Sequence, residues 1–125
     1  MRETLLLIDD NAVQAVTRQT ILRRAGYFVI AALSPTRALE QLRSDDFPDE
    51  VRLVITDHLM PGMNGAVFVR ELRKIRPSLP VLVISGMEDA QSEYDGLGVL
   101  FRVKPLPPDS LLDSVHQQLQ ACGTA

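Results

Sequence analysis

Unbroken apolar runs occur at four places along the chain: Leu5-Leu6-Leu7-Ile8, Leu53-Val54-Ile55, Val81-Leu82-Val83-Ile84 and Val99-Leu100-Phe101. None alternates polar with apolar, as a strand with one wet face would. Runs of this kind are expected where a parallel sheet is covered on both sides. Tyr27-Phe28-Val29-Ile30, rich in aromatic and β-branched types, predicts a fifth strand. Between the runs the apolar spacing becomes helical. Pro35, Ala38, Leu39 and Leu42 share one face, as do Phe68, Leu72 and Ile75, and again Leu111, Leu112, Val115 and Leu119. From Ala12 to Ala25 the pattern is weaker and is carried by Val13, Val16 and Ile21. Ser34-Pro35 supplies an N-cap and a first helical residue, and Gly26 stops the first helix. Pro77 and Pro80 break the third helix, and Pro107-Pro108-Asp109 opens the last.

Five strands alternating with four or five helices predict a (βα)5 fold, a doubly wound parallel sheet with helices on both faces and right-handed crossovers. The 125 residues contain no repeat, low-complexity tract or interdomain linker, so residues 1–125 read as a single domain; residues 44–50 form a polar loop. A formal net charge of −3, with 46% hydrophobic and 23% charged residues, excludes disorder and an electrostatic nucleic-acid binder. Cys122 has no intrachain partner and points to a reducing compartment. The longest apolar stretch, residues 27–33, is far short of the about 20 residues needed to cross a bilayer. Met1-Arg2-Glu3 opens no signal peptide, and a cytoplasmic location without membrane insertion is expected.

In open parallel sheets, ligands collect beyond the carboxyl ends of the strands. Asp9-Asp10 follows the first run, Asp57 the third, Ser85 the fourth and Lys104-Pro105 the fifth. Carboxylates about 4 Å apart repel by on the order of 4 kcal/mol per pair at an effective dielectric near 20. A hard divalent ion such as Mg²⁺, taking one or two carboxylates and a phosphoryl oxygen, would offset that. Lys104 neutralises only one acid. It is one of two lysines among 13 Lys plus Arg residues, and a compact ammonium suits a single oxygen in a tight rim. His58 and His116 lie too far apart for a zinc site.

Asp9-Asp10-Asn11, the stretch Asp57-His58-Leu59-Met60-Pro61-Gly62-Met63-Asn64-Gly65, Ser85 and Lys104-Pro105 together resemble the receiver domain of two-component response regulators. The resemblance covers essentially the whole chain. Asp-Asp-Asn with Ile84-Ser85-Gly86 is similar to receivers attached to hybrid histidine kinases, so attachment to a larger hybrid kinase or regulator is one expectation. The resemblance implies a flavodoxin-like strand order 2-1-3-4-5 and phosphoryl transfer from a phosphohistidine, on a histidine kinase or a histidine phosphotransfer protein. It makes Asp57 the acceptor, and Asp10, Asp57 and the backbone carbonyl of Leu59 ligands of Mg²⁺, with Asp9 acting through metal-bound water. Ser85 and Lys104 would each bond a phosphoryl oxygen, with the Lys104-Pro105 peptide cis. Phe101 would swing between exposed and buried positions as Ser85 moves. The physics of the reaction agrees: its transition state spreads negative charge over three oxygens, so positioning and charge stabilisation suffice. A carboxylate acceptor gives a readily cleaved acyl phosphate.

Each fragment also has a plainer reading. Asp9-Asp10 is compatible with a helix N-cap, Asp57 with turn chemistry, and Phe101 with a core strand position. Strand geometry turns His58 away from Asp57, and His116 reads as a surface residue. The interval from Ser85 to Lys104 is shorter than in typical receivers and carries Gly86, Gly96 and Gly98. A short, irregular or partly disordered helix is expected there, with an altered output surface. The alternative function is a receiver-like interaction module that works without phosphorylation. An enzyme is disfavoured: a dehalogenase-type phosphatase needs Asp at position 59, which is Leu59, and Asp10-Asn11-Ala12-Val13-Gln14 lacks the glycines of a nucleotide-binding turn.

Overall fold

Leu5, Leu6, Leu7 and Ile8 have no exposed surface, the condition of a strand at the centre of a sheet covered on both faces. The computed structural model describes residues 3–44, 47 and 50–123. The Cys122 side chain, and Asp45, Asp46, Pro48 and Asp49 of the polar loop, lie outside the described residues. Strands β1 (Thr4–Ile8), β2 (Phe28–Ala32), β3 (Val51–Asp57), β4 (Val81–Ser85) and β5 (Leu100–Val103) alternate with α1 (Ala12–Arg24), α2 (Pro35–Ser44), α3 (Gly65–Ile75) and α4 (Pro108–Gly123). A 3₁₀ helix, Glu88–Tyr94, stands between β4 and β5. All pairings are parallel, in the order β2-β1-β3-β4-β5. The doubly wound flavodoxin-like architecture is therefore as expected.

Period-two alternation splits the core into two layers. Leu5, Leu7, Leu53, Ile55, Leu82 and Ile84 pack with Leu22 of α1 and Leu111 and Val115 of α4. Leu6, Ile8, Val54, Val81 and Val83 pack on the other face with Leu39 and Leu42 of α2, Phe68 and Leu72 of α3, and Tyr94. The expected apolar faces of α2, α3 and α4 are those that are buried or half-buried. Helix α1 differs. Val13 and Val16 are exposed, and the buried stripe is Ala15, Arg18 and Leu22. Strand β2 also extends two residues past the predicted run, because Ala31 and Ala32 pair with Leu7 and Ile8.

The crossover from β4 to β5 is as short and irregular as the sequence implies. It is fixed from α3: Arg73 donates to the carbonyls of Leu97 (2.7 Å) and Gly98 (3.2 Å), and also to that of Leu79 before β4 (2.7 Å). Gly96 and Gly98 adopt φ of 79° and 67°, the left-handed region that lets the chain turn back into β5.

Asn64 caps α3 by accepting from the Val67 N–H at 2.9 Å. Gly65 then approaches the end of β3 so closely that a Cβ would lie 2.8 Å from the Asp57 carbonyl oxygen and collide with the Tyr94 hydroxyl. Gly65→Ala is expected to destabilise the domain by about 1–3 kcal/mol. The urea midpoint measures it, and an unchanged midpoint contradicts the contact.

Candidate functional site

The chain leaves β1 toward β2 on one side and β3 on the other, opening a crevice beyond the carboxyl ends of β1 and β3. Alternation aims side chains into it. Asp9 follows Leu5 and Leu7 in register, Asp57 follows Leu53 and Ile55, and Lys104 follows Leu100, all on the α1/α4 layer. Asp9 has no exposed surface and Asp57 is 3% exposed. Lys104 Nζ lies 2.8 Å from Asp57 Oδ1, its side chain one-third open to solvent. The peptide from Lys104 to Pro105 is cis, and the Lys104 N–H donates to the Ser85 carbonyl at 2.7 Å.

Helix α1 completes the crevice. Asn11 is its N-cap, accepting from the Gln14 N–H at 3.0 Å, while its own N–H donates to Asp9 Oδ1 at 3.0 Å. One turn on, Gln14 Nε2 donates to Asp9 Oδ2 and to Asp57 Oδ2, both at 2.7 Å. A further turn places Arg18 Nη1 at 3.1 Å from Asp9 Oδ2 and 3.5 Å from Asp57 Oδ2. Burial pushes the Asp9 carboxyl above its ordinary range, and the neighbouring Asp57 charge adds to the rise. The Asn11 N–H and the Gln14 amide oppose it by favouring the ionised form.

Three of the expected residues, Asp9, Asp57 and Lys104, thus meet in one cluster. Asp10, the direct metal ligand of the sequence reading, is exposed past the end of β1, whereas Asp9 is the buried acid beside Asp57. Leu59 lies in the loop after β3 with its side chain exposed. Ser85 is buried at the end of β4, on the layer of Val81 and Val83, and its Oγ accepts from the Met87 N–H at 2.9 Å. Phe101 is 8% exposed and packs inward against Tyr94, with ring centroids 5.7 Å apart. His58 faces away from Asp57: its Nδ1 is 2.7 Å from the Tyr94 hydroxyl and its Nε2 3.4 Å from Glu93. Burial drives the Tyr94 phenol well above its ordinary pKa. His116 is on the exposed side of α4.

Gln14 and Arg18 escape a reading based on apolar periodicity. Their signal is the helical spacing of Ala15, Arg18 and Leu22, which sets a cation inside the buried stripe of a helix that follows two acids.

Over residues 5–116 the sequence matches the family model described as the response regulator receiver domain. The chain belongs to that family. The receiver is 36% identical over 121 residues to the C4-dicarboxylate transport transcriptional regulatory protein DctD of Pseudomonas aeruginosa, covering 94% of this chain and 25% of that protein. With the transcriptional regulatory protein ZraR of Escherichia coli K12 it shares 31% over 118 residues, 92% of this chain and 26% of the relative. It therefore spans about a quarter of the length of these curated relatives. Among solved structures, a response regulator receiver protein of Sinorhizobium medicae is 29% identical, with a TM-score of 0.84 and 97% of each chain covered. A CheY-like receiver domain of Methanospirillum hungatei superposes with a TM-score of 0.89 over 99% of this chain and 98% of that one; at 20% identity it speaks for the fold. A phosphorylated aspartate and Mg²⁺ are expected of the family. Among the described residues, no helix is long and apolar enough to cross a membrane.

The donor chemistry of the crevice fits a hard divalent ion, because two buried carboxylates converge on the same Gln14 amide nitrogen. Two acids with water completing the shell is an ordinary arrangement for Mg²⁺. No group of three His, Cys, Asp or Glu residues stands ready for a metal among the described residues.

Proposed function

We propose that Asp57 is the phosphoryl acceptor of this receiver. Its carboxylate attacks the phosphorus of a phosphohistidine; the P–O bond forms as the P–N bond breaks, and the electron pair and a proton remain with the departing imidazole. The observation that carries the reading is Lys104 Nζ 2.8 Å from Asp57 Oδ1, with the lysine side chain one-third exposed. Asp9 is less suited to attack. It has no exposed surface and its oxygens face Asn11 on one side and Gln14 and Arg18 on the other, whereas Asp57 Oδ1 faces the partly exposed Lys104 ammonium.

Lys104 stays beside the phosphoryl group as charge develops on its oxygens, where a fixed cation in a partly dry site stabilises the transition state. Mg²⁺, when bound, supplies further positive charge to the same oxygens. Asp10, Asp57 and the Leu59 carbonyl would hold it, with Asp9 acting through metal-bound water. Ser85 would turn its Oγ from Met87 toward the phosphoryl group, and Phe101, packed inward on Tyr94, would follow. The size of that switch is bounded by how differently the phosphoryl group interacts with the two arrangements. Lys104 and Ser85 also assist loss of the phosphoryl group to water.

The partner is a histidine kinase or a histidine phosphotransfer protein, and the expected setting is the cytoplasm. DctD and ZraR, about four times as long as this chain, support attachment to a larger regulator. The 30% identity to the receiver domain from the hybrid histidine kinase CckA, with a TM-score of 0.77, supports a hybrid kinase as the other setting. Incubation with acetyl phosphate, with and without Mg²⁺, followed by intact mass measurement tests the acceptor. One added phosphoryl group is expected with Mg²⁺, and none in Asp57→Asn. Label retained by Asp57→Asn overturns the assignment. No label on the unaltered chain favours an interaction module that works without phosphorylation.

A further inference from the structure

Arg18 brings a charge into the centre of the site. Its side chain is only 10% exposed and sits mid-stripe between Ala15 and Leu22, so in the packed, metal-free state its charge is held away from bulk water. A guanidinium buried there requires partners, and it finds them in the carboxylates that converge at the crevice. Nη1 reaches Asp9 Oδ2 and Asp57 Oδ2, the same two oxygens that accept from Gln14 Nε2. The sequence reading set three acids against Lys104 and left room for a dication. In the structure Asp9 and Asp57 face Arg18 and Lys104, and the buried cluster is neutral with nothing added. Any divalent ion drawn to these oxygens meets two resident cations, one of them on the oxygens themselves.

We propose that Arg18 is a resident counter-cation that competes with Mg²⁺ for Oδ2 of Asp9 and Asp57. It lowers the metal affinity of the crevice and holds the two acids together in the metal-free state. The inference rests on the receiver reading above and concerns how this receiver's metal occupancy is set. It makes Arg18 a positioning residue, and uptake of Mg²⁺ then requires the guanidinium to leave at least one of the two acids. Lysine at position 18 keeps the charge, while methionine keeps most of the length and removes it.

Calorimetric titration of MgCl2 into the full chain, as wild type, Arg18→Met and Arg18→Lys, tests this. Circular dichroism verifies the fold, and thermal melts in EDTA follow the metal-free state. Arg18→Met is expected to bind Mg²⁺ about 10-fold more tightly than wild type and to melt at a lower temperature in EDTA. Arg18→Lys should stay near the wild-type affinity. Should Arg18→Met fail to fold, the unaltered chain still decides: the ¹⁵N-resolved guanidinium signals of Arg18 should be protected from exchange in EDTA and lose protection as Mg²⁺ saturates. Equal Mg²⁺ affinity in wild type and Arg18→Met, or guanidinium signals unmoved at saturation, overturns the proposal and leaves the receiver reading intact. Absence of Mg²⁺ binding in every variant, together with no phosphoryl uptake from acetyl phosphate, removes both.

Discussion

Lys104→Met is expected to slow phosphoryl uptake from acetyl phosphate by about 10²–10³-fold, the usual cost of deleting one preorganised partner of a transition-state oxygen. The ammonium is held for this role by its main chain as well as its charge. Its N–H is tied to the Ser85 carbonyl at 2.7 Å, so Nζ is placed from the end of β5 against Asp57 and not from a free loop. Lys104→Arg should recover part of the rate, because the charge returns but the planar fork needs more room than a compact ammonium. Time-resolved intact mass measurement at fixed Mg²⁺ reads both variants. A Lys104→Met rate equal to wild type would remove Lys104 from the chemistry and leave its contact with Asp57 a plain ion pair.

The largest structural effect is expected at Phe68. This ring has no exposed surface and belongs to the layer formed with Leu39, Leu42, Val54 and Leu72. Phe68→Ala should cost about 3–5 kcal/mol, from lost transfer energy and from the cavity left behind. That is a large part of the about 5–15 kcal/mol by which a domain is normally stable. The effect on function should be indirect, because Phe68 faces the layer opposite the crevice while α3 begins at Gly65, against the Asp57 carbonyl. Equilibrium urea unfolding followed by circular dichroism measures it, and a loss under about 1 kcal/mol would mean that α3 is not a fixed part of the core.

Strands and strand ends were legible in the sequence because unbroken apolar runs have few other uses in a chain of this size, and polar residues just beyond them stand out. Lys104, Asp57 and Asp9 were found in this way. Which of the two neighbouring acids is buried was not visible from the dipeptide; continuation of the β1 alternation places Asp9 inside and leaves Asp10 exposed. Helix α1 misled for a related reason. Periodicity scores Val13 and Val16 as core and passes over Arg18, yet the valines are exposed and Arg18 is buried. What reverses the order is a long-range ion pair, Arg18 with Asp9 and Asp57, which apolar spacing does not record. The His58 contact with Tyr94 is hidden similarly, since it joins β3 to the 3₁₀ helix across 36 residues. By contrast, the shortened crossover was readable from its length and glycines, and the structure answers with seven residues of 3₁₀ helix followed by a turn whose Leu97 and Gly98 carbonyls Arg73 holds.

The position of the label bears most directly on the account. Phosphorylated protein reduced with borohydride carries homoserine wherever an aspartyl phosphate stood, and peptide sequencing by mass spectrometry locates it. Homoserine at position 57, formed only after incubation with acetyl phosphate and Mg²⁺, is the predicted result. Homoserine at position 9 or 10, or a phosphoryl group recovered on His58 or His116 with Asp57 unchanged, would contradict it.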